Sequence, residues 1–399
     1  MKMYKQILMP VLLLLASCAA NSAREQPLLQ SDFESDPRAS GWLSGTYKGI
    51  EAQTEWVESA TAHDGKHLSA KRGFWRSPEV PVTPSQYYEI RFRYKCASGG
   101  FWTVSATDSA GNQLPDIDSS LDNATEWTEA RLCFRAMAGA ELARVSLRAT
   151  RTAPLCVDDF VLRPIDKRLA AQWADSLYKS MPPVLLPPPS GRPGLLPRAF
   201  RKLRNRETVT IVLLGDSIMN DTGNSALDVL LERQFRGASV RLANSVRGST
   251  GCSYYAREGR VKQYVLDYQP DLLIIGGISH GYETDPIREV IRQVRAQSQC
   301  DILILTGAVA SLEARIETYL KNSHSFRDDA LNAIEAFPGR LANMAREEHV
   351  AFFDIGAAWD SYVKESAQPP SWFRRDSVHA NDRGKQVLAR LLLSYLSTR

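Results

Sequence analysis

The N-terminal half of the chain carries alternating apolar and polar positions. Residues 88–96 read Tyr-Glu-Ile-Arg-Phe-Arg-Tyr-Lys-Cys, and residues 143–149 alternate in the same way. A period of two residues predicts strands with one buried and one solvated face. Gly, Pro, Asn and Asp separate these runs, and helical patterns are scarce. Residues 28–164 are therefore expected to form an all-β sandwich of the jelly-roll type.

After residue 207 the pattern changes to a strand followed by a helix. Near-continuous apolar strands are predicted at residues 208–214, 240–243, 272–275, 302–305 and 350–353, with helical patterns between them and a closing helix at 382–396. Unbroken Val, Ile and Leu runs are typical of parallel strands that helices cover on both faces. Residues 207–399 are therefore expected to form an α/β fold, a flavodoxin-like doubly wound parallel sheet, with its ligand site at the carboxyl ends of the strands.

Two further segments lie outside these domains. Residues 165–206 are expected to be a proline-rich linker, in which a short helical pattern at residues 168–179 is followed by recurring prolines that favour extended backbone. Residues 1–17 place two lysines before a short apolar run, which predicts a signal peptide and export. The run ends in Leu-Ala-Ser-Cys18, which resembles a bacterial lipobox and implies lipid attachment at Cys18; the alternative is a secreted protein with a chance cysteine there. Ala19 after the cysteine favours the outer membrane, on its periplasmic or surface face, by analogy with lipoprotein sorting.

Charge and cysteine content narrow the possible partners. The net charge is only +4, with no concentrated basic field, so no nucleic-acid partner is expected. Beyond Cys18, five cysteines remain, and none has the spacing of a zinc or redox motif. Strand alternation leaves Cys96 with Cys156 as the one disulfide worth testing.

Two short motifs carry candidate chemistry. Ser217, in Gly215-Asp216-Ser217, directly follows the first predicted strand of the α/β region and so lies at a carboxyl end. Asp376 stands three residues before His379, just ahead of the closing helix. An Asp at this spacing can hold Nδ1 of the histidine and leave Nε2 free to take a proton from a serine. The pair of motifs predicts Ser217 as nucleophile, His379 as base and Asp376 as its orienting acid.

These motifs resemble those of the SGNH, or GDSL, hydrolase superfamily over residues 208–396. Its glycine block matches the run that ends in Gly248, which implies Gly248 as a backbone oxyanion donor, with Gly251 as the alternative. Its Gly-x-Asn-Asp block is replaced here by Gly277-Ile278-Ser279-His280. Ser279 stands in place of the usual oxyanion asparagine and could offer its hydroxyl. Some carbohydrate esterases of the superfamily also lack this asparagine.

The resemblance implies a serine esterase that needs no metal or other cofactor for catalysis. With the export signal and the appended sandwich, it favours removal of O-acetyl groups from an acetylated polysaccharide, with membrane attachment through the lipid anchor. One alternative is a lipid esterase or polysaccharide O-acyltransferase that uses the same triad. Another is a glycan-binding lipoprotein with an inactive SGNH domain, which the missing asparagine would explain.

The sandwich resembles the jelly-roll modules appended to bacterial glycan-active enzymes. Such modules often hold a structural calcium ion, for which Asp32, Glu34 and the Asp158-Asp159 pair could supply oxygen ligands; ordinary surface carboxylates are the alternative. Trp42 and Trp75 lie in loop-like stretches and are candidates for stacking on sugar rings. Trp102 alternates in phase with apolar neighbours and is expected in the core.

Overall fold

The computed structural model describes residues 26–46, 53–58, 65–186, 192–323 and 326–397. The predicted signal peptide and Cys18 lie outside the described residues. Within the described residues, no helix has both the length and the apolar character needed to cross a bilayer. The chain groups into two compact units. The first takes the chain up to Phe101 together with Leu121–Ala136 and Glu141–Ala170, and the second takes Trp102–Ser120, Met137–Ala140 and the chain from Ala171 onward.

Two antiparallel sheets form the sandwich that the alternating pattern predicts. The order of the first sheet is β10-β7-β12-β4-β3, with β1 against β12, and that of the second is β2-β5-β11-β8-β9, with β6 against β11. The strands are β1 (Leu29–Ser31), β2 (Leu43–Thr46), β3 (Gln53–Glu58), β4 (Lys66–Lys71), β5 (Gly73–Arg76), β6 (Val80–Pro81), β7 (Tyr87–Cys96), β8 (Gly100–Thr107), β9 (Ile117–Ser120), β10 (Ala124–Arg135), β11 (Leu142–Ala149) and β12 (Leu155–Ile165).

Aromatic side chains fill the core of the first unit. Ile90 and Phe92, two residues apart on β7, are fully buried, as the alternation predicts. Trp42 is also fully buried, and its ring packs edge-on against Phe33 and Phe160. A large apolar area of Trp42 is thus removed from water. Its indole N–H stays satisfied, because it donates to Ser31 Oγ over 3.1 Å.

Two of the aromatic predictions need correction and one is confirmed. Trp42 and Trp75 are core residues and offer no surface to a sugar ring; Trp75 is 1% exposed and donates its N–H to Ser69 O. Trp42 directly precedes the short strand β2, and Trp75 lies in the short strand β5. Each strand contains a glycine, so both stretches look like loops in the sequence. Trp102 is buried as expected.

The predicted disulfide is absent and the predicted calcium site is not formed by side chains. Cys96 and Cys156 are both free thiols, and burial raises the pKa of each. In the part of the chain that the structure describes, no group of three or more His, Cys, Asp or Glu side chains could hold a metal ion. Asp32 and Glu34 instead accept backbone N–H groups. The residues as arranged do not fit calcium, and its binding stays a prediction.

Asp158 is expected to make the free energy of unfolding depend on pH. Burial, reinforced by the neighbouring Asp159 and Glu34 carboxylates, raises the pKa of Asp158 to about 6, whereas an unfolded Asp titrates at about 3.9. The folded state therefore binds more protons between these values, so the free energy of unfolding falls as the pH rises from about 4 to about 6 and then levels off. Asp158→Asn should lose this fall and be more stable than the wild type above about pH 6, by up to about 3 kcal/mol.

Urea unfolding over a pH series would measure this difference. Glu126→Gln removes an exposed carboxylate from β10 and serves as the matched control; its stability should follow the wild type. A curve for Asp158→Asn that runs parallel to the wild type from acid to neutral pH would show that Asp158 does not titrate in this range.

The second unit contains the predicted parallel sheet, with strand order β14-β13-β15-β16-β17. Leu214 of β13 lies opposite Ser245 of β14 on one side and Ile275 of β15 on the other. The chain therefore passes from β13 to β14 on one side and then crosses back to β15 on the other side of β13. This reversal places the switch point, where doubly wound folds bind ligands, at the carboxyl ends of β13 and β15. The five strands are β13 (Thr208–Gly215), β14 (Ser239–Val246), β15 (Leu272–Gly276), β16 (Asp301–Leu305) and β17 (Ala351–Phe353).

Helices cover both faces of this sheet. Ile211 and Leu213 pack into one apolar cluster with Leu230 and Leu391, whereas Leu214 packs on the other face in a cluster that contains Val290. The predicted fold class is confirmed. The helices are α1 (Lys167–Tyr178), α2 (Arg192–Leu195), α3 (Pro197–Arg204), α4 (Ser217–Gly223), α5 (Leu227–Gln234), α6 (Cys252–Tyr255), α7 (Arg260–Tyr264), α8 (Asp285–Arg295), α9 (Leu312–Ser323), α10 (Arg327–Glu347), α11 (Ile355–Glu365) and α12 (Asp382–Leu396).

Candidate active site

A sharp turn at the carboxyl end of β13 presents Ser217. Gly215 has φ +153°, and a Cβ there would lie 2.1 Å from Gly276 O, so only glycine lets β13 and β15 come this close before the turn. Tyr255 donates its hydroxyl to Gly215 O over 2.7 Å. Ser217 then begins α4 and is partly exposed, although its neighbours Asp216 and Ile218 are buried.

The Asp216 carboxylate ties this turn to the loop after β15. Oδ1 accepts the N–H of Ile218 over 2.9 Å, which caps α4. Oδ2 accepts the N–H groups of Ile278 and Ser279 over 2.7 and 2.8 Å. Asp216 is 1% exposed, and these bonds satisfy the buried carboxylate. The Asp of the Gly-Asp-Ser string is therefore a structural residue that holds two site loops together.

A closed turn carries the Asp376 and His379 pair. An isolated bridge joins Arg374 to Ala380 across its base, and the N–H of Arg375 donates to His379 O over 3.1 Å. Inside the turn, Asp376 Oδ1 accepts the N–H groups of Val378 and His379 over 2.7 and 2.8 Å. The Asp-x-x-His spacing thus folds back on itself, as the sequence predicts.

Ser217, His379 and Asp376 form a continuous hydrogen-bonded chain. His379 Nε2 lies 2.8 Å from Ser217 Oγ, and Nδ1 lies 2.9 Å from Asp376 Oδ2. Partial burial opposes ionisation of Asp376, but hydrogen bonds from the His379 ring and from two backbone N–H groups outweigh it and lower the pKa of Asp376 to about 2. Asp376 is therefore ionised at any working pH, and its charge favours an Nδ1–H tautomer whose Nε2 can accept the serine proton.

A small cavity of about 260 Å³ opens beside Ser217 Oγ, and all its lining residues belong to the second unit. Gly248, the predicted oxyanion donor, is in its wall, and a Cβ on Gly248 would meet nothing within 4 Å. The lining residues are Pro115, Asp116, Asp118, Ser217, Asn220, Val246, Gly248, Arg375, Asp376 and His379.

Two other predicted site residues, Ser279 and Gly251, are not among the residues that line this cavity. The backbone N–H of Ser279 donates to Asp216 Oδ2. Gly251 packs against Ser279 as well, since a Cβ there would lie 2.0 Å from Ser279 O. Gly248 therefore lines the cavity together with the nucleophile, whereas an oxyanion role for Ser279 stays a prediction.

His280 and Phe373 serve the scaffold. His280 is buried; its Nδ1 accepts the N–H of Cys252 over 3.3 Å, and its Nε2 lies 3.0 Å from Gly276 O. Burial lowers the pKa of His280 and keeps the ring neutral, which suits one donor and one acceptor nitrogen. Phe373 is fully buried, and its ring packs edge-on against Trp359 and Tyr362.

Sequence reasoning missed the charged residues around the triad. Asp221 and Arg375 form a buried ion pair, and Arg375 also contacts Asp118. Asn220 donates from Nδ2 to Asp116 O over 2.7 Å. The sequence contains one signal for Asp221, its spacing of four residues from Ser217. In a helix this spacing places both residues on the same face.

The comparison with protein families agrees with this geometry. Residues 213–387 match the GDSL-like Lipase/Acylhydrolase family, so the C-terminal part of the chain carries a GDSL-like acylhydrolase domain. The match spans the Ser217 turn, Gly248 and the Asp376–His379 turn. No curated protein sequence matches the chain.

Several solved structures are similar to parts of this chain at low sequence identity. A two-domain esterase active on acetylated mannans has a TM-score of 0.39 and 15% identity over 51% of this chain and 53% of that one. The CBM22-1 xylan-binding domain of Paenibacillus barcinonensis Xyn10C has a TM-score of 0.28 and 15% identity over 36% of this chain and 96% of the domain. The active domain of bacteriophage CBA120 tailspike protein 4 has a TM-score of 0.29 and 11% identity over 35% of this chain and 21% of that one. The chain thus spans about half of the esterase and a fifth of the tailspike chain.

Proposed function

We propose that the protein is an exported, lipid-anchored serine esterase that removes O-acetyl groups from a polysaccharide. The observation that carries the esterase assignment is the chain from Ser217 Oγ through His379 to Asp376, with contacts of 2.8 and 2.9 Å. A serine held this way by a histidine, and a histidine held this way by a carboxylate, is the arrangement that activates an alcohol as nucleophile.

The first half of the reaction acylates Ser217. Oγ attacks the ester carbonyl carbon while His379 Nε2 takes the hydroxyl proton. The negative charge then moves to the former carbonyl oxygen, for which the N–H groups of Ser217 and Gly248 are the proposed donors. When the intermediate collapses, the carbon–oxygen bond to the leaving alcohol breaks, and His379 returns its proton to that oxygen. Acetyl-Ser217 and the free sugar hydroxyl result.

The second half releases acetate. Water gives a proton to His379 Nε2 and attacks the acetyl carbonyl, and collapse of this intermediate returns the proton to Ser217 Oγ. Asp376 stays ionised throughout and stabilises the imidazolium form of His379 in both halves. The chain's own residues supply every proton transfer, so the proposed reaction is routed through no metal.

The polarity of the cavity supports a short acyl group over a lipid chain. Asp116, Asp118, Asp376 and Arg375 are among the residues that line this cavity of about 260 Å³. A long alkyl chain in such a site would displace water from charged groups without replacing their hydrogen bonds, which costs free energy. Acetyl is small enough to avoid that cost. The proposal of a polysaccharide substrate rests on the predicted export signal, on the attached β-sandwich and on the departure from Gly-x-Asn-Asp at residues 277–280.

Acetate release is the test of the substrate. We expect the purified protein without its predicted signal peptide to release acetate from at least one acetylated polysaccharide among xylan, mannan and pectin. We also expect it to hydrolyse p-nitrophenyl acetate much faster than the laurate ester. Free acetate would be measured enzymatically over time, with chemically deacetylated polymer as the blank.

The outcomes separate the alternatives. A preference for the laurate ester over the acetate would overturn the polysaccharide proposal in favour of a lipid esterase. Loss of polymer-bound acetate with matching acetylation of an added oligosaccharide would indicate acyl transfer. No turnover of any ester, together with no labelling of Ser217 by a fluorophosphonate, would leave a glycan-binding lipoprotein as the function.

A further inference from the structure

Asp221 connects the helix of the nucleophile to the turn of the base. It lies four residues after Ser217 in α4, so both side chains project from the same face, one turn apart. Its Oδ2 accepts the N–H of Ala380, the residue after His379, over 2.9 Å. The same carboxylate receives Arg375 Nη1, at 2.8 and 2.9 Å from its two oxygens. Asp221 therefore holds the turn both before Asp376 and after His379.

Arg375 extends this connection to a second wall of the cavity. Its Nη2 lies 2.8 Å from Asp118 Oδ1, and its side chain is only 7% exposed. Lys385 of α12 donates to Asp118 O over 2.7 Å, which fixes that segment to the closing helix. An arginine suits this place because its planar group can bind two carboxylates in fixed directions at once.

We propose that Asp221 is the positioning residue that sets the distance between Ser217 Oγ and His379 Nε2, with Arg375 as its partner. This inference rests on the proposed serine-esterase function. Asp221 contacts no reacting atom and acts through the turn that it holds at two points. The mechanism needs such a residue, because Ser217 and His379 stand 162 positions apart in the chain and a shift of about 1 Å between reacting groups can lower a rate about a hundredfold.

The position of the proton donor gives a specific signature. An ester with a good leaving group, such as p-nitrophenyl acetate, expels its phenolate without help, whereas an alkyl or sugar acetate needs His379 to protonate the leaving oxygen. If Asp221 positions His379, its loss should slow alkyl acetates more than p-nitrophenyl acetate. A variant that merely contains less folded enzyme would slow both substrates by the same factor.

The experiment compares Asp221→Asn, Arg375→Gln and the double variant with the wild type. For p-nitrophenyl acetate we expect each single variant to lower kcat/KM about tenfold to a hundredfold, with most of the change in kcat; for benzyl acetate we expect a further loss of about tenfold. The double variant should be no worse than the poorer single variant, because the two residues form one unit.

Asp271→Asn is the matched control. Asp271 is also a buried carboxylate bound by two cations, Arg198 and Lys202, but it precedes β15 and so lies at the opposite end of the sheet. We expect Asp271→Asn to lower the melting temperature about as much as Asp221→Asn does. Its kcat/KM values for both substrates should stay near those of the wild type. Equal losses on the two substrates for Asp221→Asn, or values like those of Asp271→Asn, would overturn the positioning role. Ser217→Ala is measured in parallel, so that failure of the positioning role can be told apart from failure of the esterase proposal. Full activity of Ser217→Ala would contradict the assignment of Ser217 as nucleophile.

Discussion

Ser217→Ala is expected to lower kcat/KM for p-nitrophenyl acetate by at least about 10⁴-fold, because no covalent intermediate can form without the Oγ. The melting temperature should hardly change. The Ser217 hydroxyl is hydrogen-bonded to His379. Ser217 lies at the partly exposed start of α4, outside the apolar core. The measurements are steady-state ester hydrolysis and thermal unfolding followed by circular dichroism.

A fluorophosphonate probe gives an independent readout of the same residue. The wild type should acquire one label, and mass spectrometry of its peptides should place that label on Ser217. Ser253→Ala removes an exposed serine from α6 and should leave both labelling and turnover unchanged. Retention of more than a few per cent of wild-type turnover in Ser217→Ala would show that another group attacks the ester.

The fold was largely predictable because its signals are local. Strict alternation in β7 and the near-continuous apolar runs of β13 and β15 identify half-buried and fully buried strands without knowledge of their partners. Trp42 and Trp75 were misread because the short strands near them leave too few residues for a period to appear. Short strands owe their burial to their neighbours in the sheet, which local sequence does not reveal.

The site was predictable only where its chemistry is compact in sequence. Asp376 and His379 are only three positions apart, and Ser217 follows a strand that is itself easy to find. The Asp221–Arg375 pair joins positions 154 apart, and an isolated Asp in a helix is usually a solvated residue. Its burial, and hence its role, appears only when the two loops meet at the switch point of the sheet.

Ser279 shows a limit of reasoning from a short motif. The loop after β15 turns at Gly277, where a Cβ would lie 2.4 Å from Asp216 Oδ1. This close approach directs the N–H groups of Ile278 and Ser279 toward the Asp216 carboxylate. A one-dimensional motif gives the position of Ser279 in the chain but not the direction that the Asp216 carboxylate imposes on its backbone.

Asp376→Asn is expected to lower kcat/KM by about 10²–10⁴-fold while the turn stays folded. The asparagine Oδ1 can still accept the N–H groups of Val378 and His379, which hold the turn in the wild type. Its Nδ2, however, would donate to His379 Nδ1, so the ring proton would move to Nε2. A protonated Nε2 in a neutral ring cannot take the proton of Ser217, and the base would be present in the wrong tautomer.

Asp376→Ala separates the tautomer from the charge. Alanine offers no donor to Nδ1, so water can reach the ring and the productive tautomer is again accessible; the Asp376 side chain is already 48% exposed. Asp376→Ala should therefore be more active than Asp376→Asn despite its larger structural change, provided that a melting curve shows the turn's domain still folded.

The pH profile of activity adds a second check. Because the pKa of Asp376 is about 2, the acid limb of wild-type activity at mildly acidic pH must come from another group, and it should persist in Asp376→Ala. Equal activity of Asp376→Asn and the wild type would mean that Asp376 does not select the tautomer of His379.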